Sequence, residues 1–547
     1  MQDGALQLHA KRNDAPPVPS SPGVARDVPR AKPNGSTPRP PRAGRIRASQ
    51  LKSRWHRFHG VVRPVGWVLA GLGAAQAIAA LAGGASAWMV GPVPWDEVIA
   101  LGVGALAGAL CGAACLVYAR RRVPVASLTR REALLAVALI WAAASAVAAI
   151  PFVIAAGMSP IDALFETISG FTTTGATVIT QIERDLARPL LLWRSLIQWL
   201  GGMGIVVLMV AVLPTLGAGA KHMYRGEVAG TSAEGLKPRI ASTSFTLWKL
   251  YAALTAVAAI LLVACGLEPF EAVCHSLTTM STGGFSTRDA SVTGLDSPAV
   301  EYVLSVFMLL GSLNFGLYYM ALRERSLRGF LRSTELRVFA ILVTSAVLVT
   351  TAALYSSVHA GELELALRKS LFQVVTFSSG TGFLSDDYMA YPPSLVMLFT
   401  GLMFIGGCSG STTGGFKVER VVLLAKVAWA ETRKAFQPNR VHTIRMGRVA
   451  VPREILTNVA ALLAVTVVVV FGGVLFVAAV DGVPFDTAFG AALSCVANCG
   501  PAPYFTSGDH FADYSAVSKL AFALMMLLGR LEMFTLLAML DPSFWRR

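Results

Sequence analysis

The chain repeats one pattern four times: an apolar stretch of membrane length, a short Thr/Ser/Gly tract, and a second apolar stretch. The tracts are residues 172–177, 281–286, 379–383 and 497–501. Their glycines recur at intervals of roughly 100 to 120 residues, and they are Gly175, Gly283, Gly382 and Gly500. Such self-similarity indicates an internal repeat of large structural units. Four units of this kind can close around one axis.

The glycines suggest what the tracts do. Glycine reaches backbone conformations that are closed to other residues, so successive carbonyl oxygens can point the same way and replace the water shell of a bare cation. Ordinary turns between helices are the alternative, but a short apolar run precedes each tract. We therefore predict a filter for monovalent cations. Its candidate cation-binding residues are Thr173, Thr174, Gly175, Ser281, Thr282, Gly283, Thr381, Gly382, Asn498, Cys499 and Gly500.

Composition indicates a membrane protein. With 54% hydrophobic and 14% charged residues over 547 positions, the chain holds more apolar sequence than a soluble core needs. We predict ten transmembrane helices, at residues 65–90, 98–118, 133–155, 190–213, 245–266, 300–321, 338–356, 394–405 with its continuation, 455–480 and 515–540. Four shorter runs are predicted as re-entrant pore helices, at residues 162–169, 270–277, 367–375 and 485–492. The fold class is thus an all-α polytopic membrane protein with ten transmembrane helices and four re-entrant pore loops, arranged in pseudo-fourfold helix–pore-loop–helix repeats.

Basic residues predict the orientation of these helices. Clusters of Arg and Lys follow the second helix of every repeat, and one large cluster lies between residues 426 and 453. By the positive-inside rule these loops face the cytoplasm, and both termini are predicted there too. All four repeats then share one orientation, as a rotational pore requires, whereas inverted-repeat transporters would alternate.

The first 60 residues differ in composition from the rest. They carry twelve Lys and Arg against three Asp in a Pro-rich, polar segment that cannot bury a core. We predict a disordered basic cytoplasmic tail over residues 1–60, with an anionic-lipid contact as the alternative. The other predicted divisions are two extra transmembrane helices (61–122) and pore repeats 1 to 4 (123–225, 226–330, 331–440 and 441–547).

A glycine-rich segment interrupts the second helix of repeat 3. Its ten residues, 406–415, include five glycines and four residues with a hydroxyl group, which argues against a continuous helix. Irregular backbone at membrane depth survives only where it lines water or packs in protein. We predict an intramembrane gate below the filter, with a kinked helix as the alternative. Its predicted residues are Gly406, Gly407, Gly410, Gly414, Gly415 and Lys417, the last as an electrostatic anchor of the closed position.

Arg530 is one charge within the otherwise apolar span 520–540. Arginine at this depth is costly unless it faces the pore or a partner. Facing the cavity below the filter, it would raise the barrier for cations. A structural pair with Glu532, or with the carbonyls of the glycine-rich segment, is the alternative, and both can hold together.

Other functional classes find little support. The seven cysteines and eight histidines show no metal-ligand spacing, and His275 is predicted to serve in packing or hydrogen bonding. Neither a nucleophile constellation nor a phosphate-binding loop is apparent. We expect no enzyme activity, no organic cofactor and no nucleic-acid partner.

Several motifs in order resemble the TrkH/KtrB potassium-uptake family. They are residues 193–208, the four tracts, residues 406–417 and the closing residues 529–532. The resemblance runs from about residue 65 to the C-terminus, and the two extra helices resemble the TrkH branch. It implies a K⁺-translocating pore subunit of a prokaryotic cytoplasmic (inner) membrane, in contact with membrane lipids. It also implies a homodimer bound to a separate cytoplasmic nucleotide-binding regulatory ring protein, similar to TrkA.

The chain departs from the family pattern in places. Gly380 stands where a Thr is common, and residues 500–505 replace a Gly-Pro-Gly-type sequence. The predicted pore helices of repeats 1, 2 and 4 begin with an acidic residue, whereas that of repeat 3 has Arg368 and Lys369 instead. A Na⁺- or H⁺-coupled symporter on the same scaffold, a less selective K⁺/Na⁺ channel, and a sensor without flux are the remaining alternatives.

Overall fold

The computed structural model describes residues 43–122, 130–211, 236–439, 443–447, 449–503 and 510–545. Most of the predicted tail, residues 1–42, lies outside these ranges, as does Arg440 of the basic cluster. The first helix begins at Ala43, so residues 43–60 are helical rather than disordered. No proline interrupts this segment before Pro64, and its Ala, Arg, Leu and Lys residues favour a helix.

Two helices precede the repeats, and each repeat then adds a long helix, a short helix and a second long or broken helix. The leading pair is α1 (Ala43–Trp88) and α2 (Trp95–Arg122). Repeat 1 contains α3 (Arg130–Ile154), α4 (Pro160–Phe171), α5 (Ile182–Asp185) and α6 (Arg188–Ala211). Repeat 2 contains α7 (Leu236–Ala264), α8 (Pro269–Met280), a 3₁₀ turn (Ser291–Leu295), α9 (Pro298–Ser312), α10 (Phe315–Glu324) and α11 (Arg328–Arg332).

Repeats 3 and 4 follow the same order. Repeat 3 contains α12 (Thr334–Ser356), α13 (Leu363–Ser379), a 3₁₀ turn (Tyr388–Ala390), α14 (Pro393–Ile405), α15 (Val418–Phe436) and a two-stranded hairpin of β1 (Arg445–Met446) and β2 (Val449–Ala450). Repeat 4 contains α16 (Arg453–Asp481), α17 (Phe485–Ala497), α18 (Ala516–Arg530), α19 (Phe534–Leu537) and α20 (Pro542–Trp545).

Within the described ranges, six helices are long and apolar enough to cross a membrane, against ten predicted spans. The difference arises mainly in the second halves of the repeats. The predicted span 300–321 is not one helix, because α9 and α10 meet at an angle of 87° around Leu313 and Asn314. Within the predicted span 515–540, the regular helix α18 ends at Arg530. Helix α14 has only 13 residues before the glycine-rich segment.

The four short helices lie where apolar runs too short to cross were predicted. They are α4, α8, α13 and α17, and they are buried along most of their length. Helix α13 begins earlier than predicted, so Glu364 occupies its first turn. Arg368 and Lys369 then lie in its second turn, where both pair with the buried Glu301 at 2.8 Å. The third short helix therefore keeps an acidic first turn, which suits the positive end of the helix dipole.

Packing between repeats closes a ring. The second helix of each repeat packs on the short helix of the next one: α6 on α8, α9 on α13, and α14 on α17. Helix α18 of repeat 4 packs in turn on α4 of repeat 1. A salt bridge from Lys519 to Asp162, at 2.7 Å, adds to this last contact. The arrangement places the ends of all four short helices around one centre.

Candidate functional site

All four short helices end with the same backbone geometry. One residue near each end is left-handed: Thr173 (φ 51°), Thr282 (φ 53°), Gly380 (φ 66°) and Asn498 (φ 54°). The next amide donates to the carbonyl five residues earlier, namely Thr174 to Ser169, Gly283 to Thr278, Thr381 to Thr376 and Cys499 to Ser494, at 2.9, 2.9, 3.0 and 3.1 Å. This Schellman arrangement satisfies the last helical carbonyls and turns the chain away from the helix. It therefore gives all four tracts a common starting geometry.

A second left-handed residue follows two positions later, and it is always glycine. These are Gly175 (φ 85°), Gly284 (φ 76°), Gly382 (φ 79°) and Gly500 (φ 93°). The residue between the two left-handed positions has a negative φ in each tract. An alternating sign of φ lets successive carbonyl oxygens turn to one side of the chain.

The tract geometry corrects one predicted residue. Gly283 was grouped with Gly175, Gly382 and Gly500, but the structurally equivalent glycine of repeat 2 is Gly284. Gly283 occupies the middle position, which is held by Thr174, Thr381 and Cys499 in the other tracts. Repeat 2 has two adjacent glycines, and spacing along the chain cannot tell which of them is left-handed.

The four glycines bring the tracts into contact with one another. A Cβ added at Gly175 would overlap the carbonyl oxygen of Gly283, one at Gly284 that of Thr381, and one at Gly382 that of Cys499. A Cβ added at Gly500 would lie 2.7 Å from the carbonyl oxygen of Thr174. Each contact joins one tract to the next, and the last joins tract 4 to tract 1. The tracts thus form a closed ring, and only glycine fits at these four points.

The other predicted tract residues lie at this ring and are fully buried. Ser281 is an exception in role, because it caps α8 and its hydroxyl donates back to the Leu277 carbonyl at 2.9 Å. Asn498 donates from Nδ2 to Thr174 Oγ1 at 2.9 Å, which links tracts 4 and 1. Gly380, which looked like a departure, occupies a left-handed position where glycine is unstrained.

Gln198 is a site residue that the sequence did not reveal. It is fully buried on α6 and donates from Nε2 to the Gly283 carbonyl at 2.7 Å. Its Oε1 accepts from the Phe285 amide at 3.1 Å. One amide side chain of repeat 1 therefore holds the tract of repeat 2 on both sides of Gly284. The cluster of Trp, Gly and apolar residues around it gave no signal of this role.

A buried ion pair lies behind the ring. Glu166 of α4 accepts from Arg194 Nε of α6 at 2.7 Å, and the two side chains are 0% and 2% exposed. Arg194 also donates to the Ser286 carbonyl at 2.9 Å and lies over the Phe285 ring. Glu166 accepts in addition from Thr177 Oγ1 and the Val178 amide. The pair connects the C-terminal ends of tracts 1 and 2.

Arg194→Met is expected to lower the free energy of unfolding by about 3–5 kcal/mol, since it leaves the Glu166 carboxylate buried without its charge partner. The double variant Glu166→Gln/Arg194→Met should lose less than the sum of the two single variants. Thermal unfolding in detergent measures both effects. A folded Arg194→Met protein with unchanged melting would contradict this role.

The glycine-rich segment is a loop rather than a kink, since residues 406–417 separate α14 from α15 without helical structure. It fills the break between α9 and α10. The Cys408 amide donates to the Ser312 carbonyl at 3.0 Å, and the Phe315 amide donates to the Gly410 carbonyl at 3.1 Å. The loop thereby satisfies backbone groups that the broken helix leaves open.

Thr412 places this loop against the ring. Its Oγ1 donates to the Gly311 carbonyl at 3.0 Å and lies 3.3 Å from Thr282 Oγ1, at the first left-handed position of tract 2. On another side, an added Cβ at Gly414 would overlap the Ala497 carbonyl at the end of α17. The loop thus reaches the ends of two opposite short helices.

Two buried cations hold the loop. Lys417 donates from Nζ to the Thr413 carbonyl and, at 2.9 Å, to Thr413 Oγ1. Arg530, 3% exposed, donates from Nη1 to the Thr412 carbonyl at 2.6 Å. Its Nε and Nη2 make no hydrogen bond within the described residues. Glu532 pairs with Arg420 instead, so of the two predicted structural partners of Arg530 the loop carbonyl is the one found.

The remaining polar chemistry fits this picture. The fully buried His275 uses both ring nitrogens in hydrogen bonds, with the Glu271 carbonyl and Ser286 Oγ. Within the described ranges, His, Cys, Asp and Glu form no group of three or more that could hold a metal ion. The ring itself brings backbone carbonyl oxygens of the four tracts close to one another.

Known proteins are similar to this chain in sequence and in fold. Residues 118–545 match the TrkH family, described as cation transport proteins. The Trk system potassium uptake protein TrkH of Halomonas elongata is 38% identical over 453 residues, covering 82% of this chain and 92% of that protein. TrkH of Escherichia coli K12 is 38% identical over 423 residues, covering 77% and 87%. The crystal structure of the potassium transporter TrkH from Vibrio parahaemolyticus superposes with a TM-score of 0.80 at 32% identity, covering 89% of this chain and all of that one. This chain therefore belongs to the TrkH family of cation transport proteins.

Proposed function

We propose that this protein takes up K⁺ across a prokaryotic cytoplasmic membrane through the ring of four tracts. The observation that carries the proposal is the ring itself, in which each left-handed glycine lies against a carbonyl oxygen of the neighbouring tract. Its relatives are named potassium uptake proteins, and K⁺ is accordingly the transported ion. This proposal includes the ten-helix topology, the four re-entrant pore loops and the predicted boundaries of the four repeats.

Carbonyl oxygens of the tracts replace the hydration shell of K⁺ as it enters the ring. The four short helices support the ion electrostatically, because their C-terminal ends, which carry partial negative charge, adjoin the tracts. Gln198 and the Glu166–Arg194 pair keep the ring at a fixed size from behind. Since a rigid ring fits one ion size better than another, these supports also favour selectivity.

The loop acts as the gate below the ring. Thr412 and Arg530 fasten it across the ends of the short helices, and Lys417 fastens its end. A cavity of about 40 Å³ lies between the loop and repeat 4. Arg530 adds a positive charge that opposes cation passage while the loop is in place.

Passive flux is favoured over coupled transport because two buried carboxylates near the short helices are engaged in ion pairs. Glu166 pairs with Arg194, and Glu301 pairs with both Arg368 and Lys369. These contacts give both carboxylates a structural role, since each one joins two neighbouring helices.

K⁺ flux into liposomes, measured with and without an imposed Na⁺ or H⁺ gradient, tests the function. We expect K⁺ to move down its own gradient, at a rate that neither other gradient changes. Flux that requires a Na⁺ or H⁺ gradient would support a symporter on the same scaffold. Equal permeation of Na⁺ and K⁺ would support a less selective channel.

We further infer a homodimer with both termini in the cytoplasm and a separate nucleotide-binding ring protein as its regulator. The exposed basic side chains Arg433 and Lys434 on α15 support a cytoplasmic contact surface that steers an acidic partner. Pull-down from native membranes at low ionic strength tests the partner.

A further inference from the structure

A groove of about 580 Å³ opens beside the helix that follows the loop. Its walls are α15, the first turns of α12 and the strand β1. The apolar part of the wall includes Val338, Val422 and Ile444. Trp429, 62% exposed, stands at its edge.

We place the groove at the depth of lipid headgroups from its position on a membrane-crossing helix. Helix α12 is one of the membrane-crossing helices and begins at Thr334. Val338 is one turn further in, which at 1.5 Å per residue is about 6 Å along the helix. The basic residues that precede α12 put this end on the cytoplasmic side. An exposed tryptophan at this level is typical of a membrane interface.

Among the described residues, three cations and no carboxylate line the groove. Lys426 Nζ donates to the Arg445 carbonyl at 2.7 Å, which holds the hairpin on α15. The Arg433 guanidinium lies 5.2 Å from the centre of the Trp429 ring. The third cation is the exposed side chain of Arg445. A positively charged rim thus adjoins an apolar wall.

We propose that this groove binds an anionic phospholipid of the inner leaflet. Its phosphate is held by Lys426, Arg433 and Arg445, and one acyl chain lies along Val338 and Val422. Basic pockets beside transmembrane helices on the cytoplasmic side suit such headgroups. A lipid uses both features of the groove, whereas a free phosphate would leave the apolar wall exposed to water.

Fluorescence quenching by brominated lipid tests the proposal on the whole purified protein in phosphatidylcholine nanodiscs. The Trp429 signal is isolated as the difference between the protein and its Trp429→Phe variant. We expect brominated phosphatidylglycerol to quench it at a mole fraction about tenfold lower than brominated phosphatidylcholine. The preference for phosphatidylglycerol should disappear in the triple variant Lys426→Gln/Arg433→Gln/Arg445→Gln. Its Trp429 signal is the difference between this triple variant and the same variant with Trp429→Phe added. The three single substitutions, which disturb folding less, should each reduce the preference.

A matched control replaces three basic residues on the same side but outside the groove. Arg323→Gln/Arg328→Gln/Arg332→Gln removes the same charge and should keep the preference. Equal quenching by both lipids, or a preference that survives the triple groove variant, would overturn the proposal. Absence of quenching would mean that a second copy or another protein covers the groove. Displacement of phosphatidylglycerol by millimolar inorganic phosphate would mean a small-anion site.

Discussion

Gly284→Ala is expected to reduce K⁺ uptake severely, whereas Gly283→Ala is expected to reduce it much less. At Gly284, φ is 76° and the new Cβ would overlap the Thr381 carbonyl, which is backbone and cannot move aside alone. The left-handed conformation by itself costs alanine roughly 1–2 kcal/mol, and with the overlap we expect a loss of about tenfold or more. At Gly283, φ is negative and the Cβ would meet the end of the Gln198 side chain at 2.5 Å. Rotation of Gln198 relieves that contact at the cost of its two hydrogen bonds to the tract, about 1 kcal/mol each, whereas the backbone overlap at Gly284 adds to the strain of the left-handed conformation.

K⁺ uptake and the K⁺/Na⁺ flux ratio in vesicles measure this difference, at matched amounts of folded protein. Gly175→Ala, Gly382→Ala and Gly500→Ala should resemble Gly284→Ala, because each meets a neighbouring carbonyl. If Gly283→Ala were the more damaging of the two repeat 2 variants, the glycine ring described above would be wrong.

Arg530→Ala is expected to raise passive K⁺ flux. The substitution removes a positive charge beside the cavity and the hydrogen bond from Nη1 to the Thr412 carbonyl. A hydrogen bond from a charged donor is worth about 1.5–3 kcal/mol, so the closed state should weaken by roughly tenfold or more. Deleting residues 410–413 should raise flux as well. The two changes should be less than additive, since both act on one closed state.

Two further variants separate charge from hydrogen bonding. Arg530→Lys keeps the charge, and Arg530→Gln keeps a neutral donor. Arg323→Ala is the control, because Arg323 is an exposed arginine that does not line this cavity. We expect little change in the control. Loss of flux in folded Arg530→Ala and in the loop deletion would mean that both features hold the pore open.

Four short helices lie where the sequence has apolar runs of sub-membrane length that each end at a glycine-containing tract. Side-chain chemistry could not decide between Gly283 and Gly284, since that choice depends on φ. The helix break at Leu313 and Asn314 also escaped prediction. Its open backbone groups are satisfied by the loop around Gly410, nearly a hundred residues away in sequence. Apolar composition alone reads such a segment as one span.

Long-range polar contacts explain the remaining differences. Arg368 and Lys369 were unexplained at the predicted start of a helix. In the structure both form salt bridges with Glu301 of repeat 2. Gln198 lies in the family-like run 193–208, but that run assigned it no role, and Glu166 lies in none of the quoted motifs. The roles of both depend on which repeat lies beside them. Arg530 was recognised because a charged side chain within a mostly apolar run is unusual in any fold. Its carbonyl partner could be named only as an alternative.

The central claim is that K⁺ passes through the ring formed by the four tracts. Anomalous diffraction from crystals grown with Rb⁺ or Tl⁺ in place of K⁺ tests it most directly. We expect a peak on the axis of the ring, enclosed by carbonyl oxygens of the four tracts, and we expect Gly284→Ala to lose it. Anomalous density elsewhere in the protein, with none inside the ring, would contradict the claim.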